Sequence, residues 1–458
     1  FFRKMLDDED IDEDLREDSE SILDMANVAF MPIRQLRWHY RSRHSALIQF
    51  SNKMMYKEEL TIFPSPQEDD PDMGVHIVEV PGAYKSGRNE IEARAVVSAV
   101  VRHMTRHPDQ SLGVCTMNSD QKDLIIDEFE RERDRNKIVQ DFVSKWEEEN
   151  DSLEEFFIKN LETIQGDERD VMFISTLYGP ETPGGKVLQR FGPINSVHGH
   201  RRLNVLFTRA KRKMVTFTSL RPADILVDDA KNYGVKMFRA WLEYCQSGHV
   251  PSTEAAGGET ESPFETFVAQ QIEALGCTVV PQVGVAGFRI DLGIKHPDWP
   301  YGYILGVECD GATYHSSRSS RDRDRLRQEV LEGLGWKLHR IWSTDWFRNP
   351  RTEIEVLKKV IDEALERAKR QAPPKLTPVS AMEMIDDIVQ NVDRSMSEGP
   401  VEEKAHTRRM VQEALPIGDS DDLFSHRVAA EKAAETFAPQ VKTERIAIGP
   451  GSKVKIKS

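Results

Sequence analysis

Apolar positions along the first half of the chain switch repeatedly between helical and strand spacing. Leu47, Phe50, Met54 and Met55 recur at roughly helical intervals and predict a helix ending on Tyr56. Val75 to Val80 reads as a strand, and Asn89 to His103 as a helix with Ile91, Ala95, Val96, Ala99 and Val100 on its apolar side. Leu112 to Thr116 is a short buried strand, after which Asn118, Ser119 and Asp120 cap a helix carrying Leu124, Ile125 and Phe129. The charged stretch 131–155 predicts a protruding helix, and the polar loop Leu161 to Asp170 leads into an apolar strand, Val171 to Ile174. Arg201 to Lys211 predicts a helix with Leu203, Leu206, Phe207 and Ala210 inward and with Arg202 and Arg209 on its other face; the strand Met214 to Thr218 closes the domain. Strand-helix alternation of this kind predicts an α/β layer fold with a parallel sheet.

A segment rich in Gly, Ser, Thr and Glu, residues 246–261, reads as a linker. The next helix has an explicit start, with Ser262 as N-cap, Pro263 at the first helical position and Glu265 as the capping acid, and Gly276 stops it. Strands follow at Cys277 to Val280, Phe288 to Ile294 and Tyr303 to Asp310, then a basic helix, Arg318 to Leu334, with Leu326, Val330 and Leu334 inward and Arg321, Arg325 and Gln328 on a shared face. A strand, Leu338 to Trp342, and an amphipathic helix, Ile354 to Leu365, complete a small α/β domain. The predicted division is an acidic lead-in (1–30), a first domain (31–245), the linker, a second domain (262–372), and a largely helical or polar tail (373–458) containing one helix, Ala381 to Val392.

Composition alters this picture only locally. The 62 basic and 77 acidic residues give a net charge of −15, which does not advertise a nucleic-acid binder, yet the basic residues cluster at Arg201 to Lys213 and Arg318 to Arg327. Cys115, Cys245, Cys277 and Cys309 show no paired spacing, so neither a zinc site nor a disulfide framework is expected, which fits a reducing cytoplasm. No apolar run reaches the length of a membrane span. Gly179 to Lys186 looks like a phosphate loop only superficially, because Gly185 stands where the lysine should be.

Candidate chemistry concentrates at Phe288 to His315. Side chains alternate along a strand, so Glu308 and Asp310 share one face, and Asp291 precedes them on the neighbouring strand. Paired acids repel unless a cation sits between them, and a hard divalent ion such as Mg²⁺ or Mn²⁺ suits carboxylate and carbonyl oxygens.

In order along the first domain, Tyr40-Arg41, Gln165-Gly166-Asp167-Glu168, and Arg202-Leu203-Asn204-Val205 through Thr208-Arg209-Ala210 resemble the late motifs of superfamily 1 helicases of the Upf-like branch, over about residues 20–220. The resemblance implies a second RecA-like domain. Arg41 and Arg209 would reach the γ-phosphate of ATP from across a cleft, and Gly166 and Glu168 would contact nucleotide and couple it to strand movement. Thr116, Asn118 and Thr163 would touch the nucleic-acid backbone. No Walker A lysine or Walker B acids occur, so the resemblance implies that ATP is shared with an upstream first RecA-like domain outside this chain, which opens on Phe1 and reads as a C-terminal part.

The second domain resembles the PD-(D/E)XK fold of very-short-patch-repair endonucleases and of nuclease domains fused to bacterial Upf-like helicases. The carrying residues are Ser262-Pro263-Phe264-Glu265, Phe288-Arg289-Ile290-Asp291, Val307-Glu308-Cys309-Asp310-Gly311, His315 and Arg321 to Arg325. Asp291, Glu308 and the backbone carbonyl of Cys309 would bind Mg²⁺. Asp310 stands where the broad superfamily has its lysine, so that role is dropped or passes to His315 or to an arginine of the basic helix, whose Arg321 and Arg325 would track phosphates. Glu265 reads first as a capping acid, and His315 also reads as a plain loop histidine. Together these features lead us to expect a DNA helicase or translocase coupled to a metal-dependent endonuclease in genome defence or repair. The alternatives are an inactive nuclease fold that only grips DNA, and a remodeller of RNA.

Overall fold

The computed structural model describes residues 26–27, 30–148, 153–182, 185–227, 233–248, 260, 262–285, 288–310 and 318–370. The acidic lead-in, most of the linker, His315 and the tail from 371 with its expected helix lie outside them.

The first domain is built on a five-stranded, all-parallel sheet, β3 (Gly74–Glu79), β4 (Leu112–Thr116), β5 (Phe157–Asn160), β6 (Arg169–Ser175) and β7 (Ala210–Thr218), in the spatial order β3-β7-β6-β4-β5. A parallel sheet must be covered on both faces. On one face α2 (Glu90–Arg106), α3 (Ser119–Arg135) and α4 (Lys137–Glu148) pack Val96, Ile125, Phe142 and Trp146 against Val114 and Phe173. On the other, α1 (Ala46–Met55), α5 (Gly199–Phe207) and α6 (Tyr233–Ser247) pack Phe50, Leu203 and Trp241 against Met172 and Met214. Asn118 caps α3, as its sequence position predicts, and Asn89, expected inside the helix, caps α2; each accepts a backbone N–H three residues on.

In the first domain the observed elements differ from the sequence reading in several places. The charged stretch after residue 131 does not protrude: α3 ends at Arg135, and α4 turns Val139, Phe142 and Trp146 into the core, a three- and four-residue spacing submerged among charges. The strand β5 has no counterpart in the sequence reading; it pairs with β4 as the sheet edge. The helix expected over 201–211 stops at Phe207, because the Thr208 hydroxyl donates to Asn204 O (2.9 Å) and Arg209 Nε donates to Val205 O (2.7 Å), satisfying last-turn carbonyls. Ala210 therefore opens β7, and Arg209 sits on a turn instead of sharing a helix face with Arg202. The domain is closed by α6, whose Trp241 stacks on Phe207 at 3.9 Å.

The second domain has a four-stranded mixed sheet of β8 (Thr278–Val285), β9 (Phe288–His296), β10 (Trp299–Asp310) and β11 (Leu338–Trp342), in the spatial order β11-β10-β9-β8. It also comprises α7 (Pro263–Ala274), α8 (Arg318–Gly333), α9 (Ser343–Arg348) and α10 (Pro350–Arg370). The pairs β8-β9 and β9-β10 are antiparallel, and β10-β11 is parallel, with Glu308 opposite Arg340. Contrary to expectation, Leu326 of α8 is 48% exposed, whereas Val330 and Leu334 face the core as expected and Leu331 joins them. A parallel RecA-like α/β sheet followed by a smaller α/β sheet of PD-(D/E)XK type is thus the architecture.

The two domains share a seam. After a short strand β1 (Trp38–His39) and its partner β2 (Thr61–Ile62), residues 63–69 lie against the second sheet. Phe63 joins a core of Val283, Ile290, Leu331 and Trp336; Trp336 Nε1 donates to Pro64 O (2.8 Å), and Tyr303 N donates to Pro66 O (2.7 Å). Gly302 is required there: its φ is +130°, and a Cβ would stand 2.4 Å from Pro66 O.

Candidate functional site

At the amino ends of β6 and β7 the structure brings together four residues singled out in the first domain. Arg41 Nε lies 2.7 Å from Glu168 Oε2, and an Arg41 Nη donates to Thr208 O at 3.4 Å. Arg209 is held by Val205 O and by Asp167 O (3.4 Å). Burial and then the neighbouring Arg41 guanidinium hold the Arg209 pKa below its ordinary value, so the two cations are electrostatic neighbours. Lys211 reaches Glu168 at 3.5 Å and Glu154 at 2.5 Å. Gly166, at φ +97°, leaves open space where a side chain would stand. Arg41 and Lys211 thus share the Glu168 carboxylate while Arg209 is held by backbone carbonyls beside them, a grouping of cations that suits an incoming phosphate.

The residues expected on nucleic acid stand apart from this group. Thr116 is fully buried at the carboxyl end of β4, with its hydroxyl donating to Asn118 O at 2.6 Å. The Asn118 side chain caps α3 and donates to Gly87 O at 2.8 Å. Thr163 is exposed and bonds Asn160 (2.9 Å). Arg202 pairs with Glu162 at 3.0 Å.

In the second domain the sheet register assembles an acidic centre. Asp291 on β9 accepts the Cys309 N–H at 2.8 Å, which fixes it beside the strand carrying Glu308 and Asp310. Burial pushes the Asp291 pKa up to about 6; the Cys309 N–H opposes this, the charges of Glu265 and Glu308 add to it, and Arg327 counteracts them. Burial, then the charge of Asp291, also raises the Cys309 thiol.

Glu265 is more than a capping residue. Its N–H does donate to the Ser262 hydroxyl (3.2 Å), but the buried carboxylate accepts from Ser262 Oγ (2.9 Å) and from Gln282 Nε2 (3.1 Å). Gln282 itself is buried at φ +52° in β8. Its neighbours Pro281 and Val283 pair with Leu292 and Ile290, which sets Gln282 opposite Asp291.

Of the cations of this centre, Arg327 is an arginine of the basic helix to which the phosphate-facing role was expected to pass, whereas Arg340 was not expected. Arg340 of β11 lies 2.8 Å from Glu308 Oε2 and 3.0 Å from Asp310 Oδ2, and Arg327 of α8 lies 3.4 Å from Glu308 Oε1 and also bonds Arg289 O. Arg325 is 82% exposed and pairs with Glu329, while Arg321 lies in α8. Signals for the missed residues existed: Gln282 is a polar residue inside an apolar strand, and Arg340 is the arginine of Leu338 to Trp342.

Among the described residues no group of three or more His, Cys, Asp or Glu stands close enough to hold a metal ion. Asp291 and Glu308 supply two hard carboxylates, and Mg²⁺ is bound through one or two carboxylates with water and substrate phosphate completing its shell. The donor set fits such an ion.

Two family models match the chain: AAA domain, over residues 19–220, and REase_MTES_1575, over residues 264–361. The protein carries an AAA-type ATPase or helicase-like domain fused to a PD-(D/E)XK-like nuclease domain. Among curated relatives it is similar to an uncharacterized ATP-dependent helicase of Mycoplasma genitalium, at 28% identity over 71% of this chain, and to its homolog from Mycoplasma pneumoniae, at 27% identity over 71%. The match covers 29% of the length of each relative.

Proposed function

We propose that this chain serves an ATP-dependent DNA helicase or translocase whose second domain is a metal-dependent endonuclease. The observation that carries the nuclease reading is the pairing of Asp291 with Glu308 on adjacent strands, Asp291 locked by the Cys309 N–H and flanked by Glu265. Asp291, Glu308 and the Cys309 carbonyl would hold Mg²⁺ or Mn²⁺. When bound, the ion acidifies a water and offsets charge on the scissile phosphate. Arg340 and Arg327 bring positive charge to an incoming phosphate, the task left open by Asp310. In the first domain Arg41 and Arg209 act as fingers toward the phosphates of ATP bound chiefly by other residues.

The test is cleavage of labelled DNA with Mg²⁺ or Mn²⁺ by the wild type and by Asp291→Ala. Cutting by the wild type alone supports the reading. If neither protein cuts, the second domain is a gripping module; one observation favours that rival, namely that Arg340 occupies both Glu308 and Asp310. An RNA-remodelling role would appear as RNA-stimulated ATP hydrolysis without DNA cleavage.

A further inference from the structure

The seam between the domains borders a cavity of about 300 Å³ that neither candidate centre uses. Its wall includes Arg43 and Arg212 from the first domain and Lys337 and Arg367 from the second, with Trp299 and Tyr303 beside them. None of these four cations forms an ion pair or side-chain hydrogen bond among the described residues, in a chain whose net charge is −15. Of the acids whose charges reach Arg212, Asp170, Asp70 and Asp72, none forms an ion pair with it among the described residues: Asp170 accepts from Ser111 (3.1 Å), Asp70 accepts the Asp72 N–H (2.9 Å), and Asp72 pairs with Lys213 and with His107 (3.6 Å). The Trp299 indole N–H is buried and lacks an acceptor among the described residues. Like charges gathered around a cavity raise the energy of the empty site, and an anion relieves it.

We propose that this cavity binds the phosphodiester backbone of a single nucleic-acid strand, held by cations from both domains at once. Guanidinium forks match phosphate oxygens, and a cavity of this size takes a phosphate with its sugar, not a duplex. A passing strand is favoured over a free anion because Arg43, Lys337 and Arg367 are exposed, so the cavity is open to solvent along the seam.

The site is separate from the acidic centre. Tyr303 and Lys337 stand at one end of the β10-β11 pair and Glu308 with Asp310 at the other; five strand residues span on the order of 17 Å. It adjoins the other centre instead: Arg43 and Arg212 follow Arg41 and Arg209 by two and three positions, and the Arg43 N–H donates to Lys211 O at 2.7 Å. A strand bound here would touch the segment carrying the nucleotide-facing arginines and the nuclease-like sheet together. The inference shares with the proposed function the class of ligand and requires no cleavage.

The experiment measures fluorescence anisotropy of labelled oligo-dT with the full chain across a salt series. The double variant Lys337→Ala/Arg367→Ala is expected to bind more weakly, with its salt slope reduced by about 1.4, since each phosphate contact to a single strand contributes about 0.7. Arg43→Ala, from the other wall, is expected to lower the slope by about half as much. Arg131→Ala, an exposed arginine paired with Glu128, should leave both quantities unchanged. The titrations are run in EDTA, without the divalent ion that cleavage requires, which separates failure of this site from failure of the nuclease reading. The proposal is overturned if the wild type does not bind oligo-dT, or if the double variant matches Arg131→Ala. It is also overturned if calorimetry finds pyrophosphate binding lost in the double variant while oligo-dT binding is intact, which would make this a small-anion site.

Discussion

Arg340 and Glu308 are register partners in the parallel β10-β11 pair, and the guanidinium stands 2.8 Å from the carboxylate while its Nε reaches Asp310 at 3.0 Å. One planar cation thereby spans two acids on the same strand face, which explains how Asp310 is tolerated beside Glu308. This same group, with Arg327 on the other Glu308 oxygen, supplies the positive charge beside these acids.

Arg340→Met is accordingly expected to lower the rate of metal-dependent cleavage by about 10²-fold to 10³-fold, the usual cost of losing one positioned charge stabiliser. Arg340→Lys keeps the charge and loses the fork, so an intermediate rate is expected. Single-turnover cleavage under saturating DNA measures both, and equal rates for Met and wild type would remove Arg340 from the reaction.

Gln282 carries a positive φ in a buried strand and spends its amide on the Glu265 carboxylate at 3.1 Å. Gln282→Ala leaves a buried acid short of a donor, at a cost of about 1–3 kcal/mol. Urea denaturation should show that loss. A second readout separates positioning from bulk stability: with Glu265 released beside Asp291, the metal concentration for half-maximal cleavage should rise. An unchanged metal requirement at a lowered urea midpoint would make Gln282 purely structural.

Much of this molecule is readable in its sequence where local chemistry decides the outcome. The Asn118 and Ser262 caps, the β4 strand Leu112–Thr116 and the Glu308/Asp310 alternation all follow from rules acting over a few residues. What escapes such rules depends on partners distant in the chain. Arg340 is unremarkable until strand order brings it to Glu308, 32 residues away. The end of α5 and the start of β7 elude periodicity because side-chain bonds from Thr208 and Arg209 capture the helix carbonyls, a contest that spacing does not register. Likewise α4 hides three core residues in a charged run, where composition outweighs spacing. The seam is invisible in the sequence, since nothing local in Pro64 or Pro66 announces that their carbonyls will meet Trp336 and Tyr303.

Gly302 sits where only glycine fits, at φ +130° with Pro66 O in the way of any Cβ. Gly302→Ala should cost about 1–3 kcal/mol in backbone strain alone, and the steric conflict falls on the docked segment. The expected consequence is loosened docking: faster proteolysis at residues 63–69 and a second domain that melts separately in calorimetry. A wild-type proteolysis rate with a single unshifted transition would contradict the close approach.

Glu92 is fully buried in the first domain, where Oε1 accepts from Ser175 Oγ (2.8 Å) and the Leu177 N–H (2.7 Å), and Oε2 accepts from Ser219 Oγ (3.1 Å). Burial pushes its pKa up to about 7 from an ordinary value of 4.5, against the pull of those bonds. The folded protein therefore holds the proton more tightly than the unfolded chain does. Its contribution to stability is fully present below about pH 4.5 and is lost as pH rises through about 7. The loss over that window is about 3 kcal/mol, since each pH unit between the two values is worth about 1.4 kcal/mol. Glu92→Gln carries no charge at any pH, so relative to this variant the wild type should weaken between about pH 4.5 and pH 7 and level off above that. Taking the difference also cancels the titration of the buried His76 and His103, both lowered to about 4, which runs in the opposite direction. Urea midpoints of the two proteins at several pH values measure this, and parallel pH profiles would show that Glu92 is already ionised in the core.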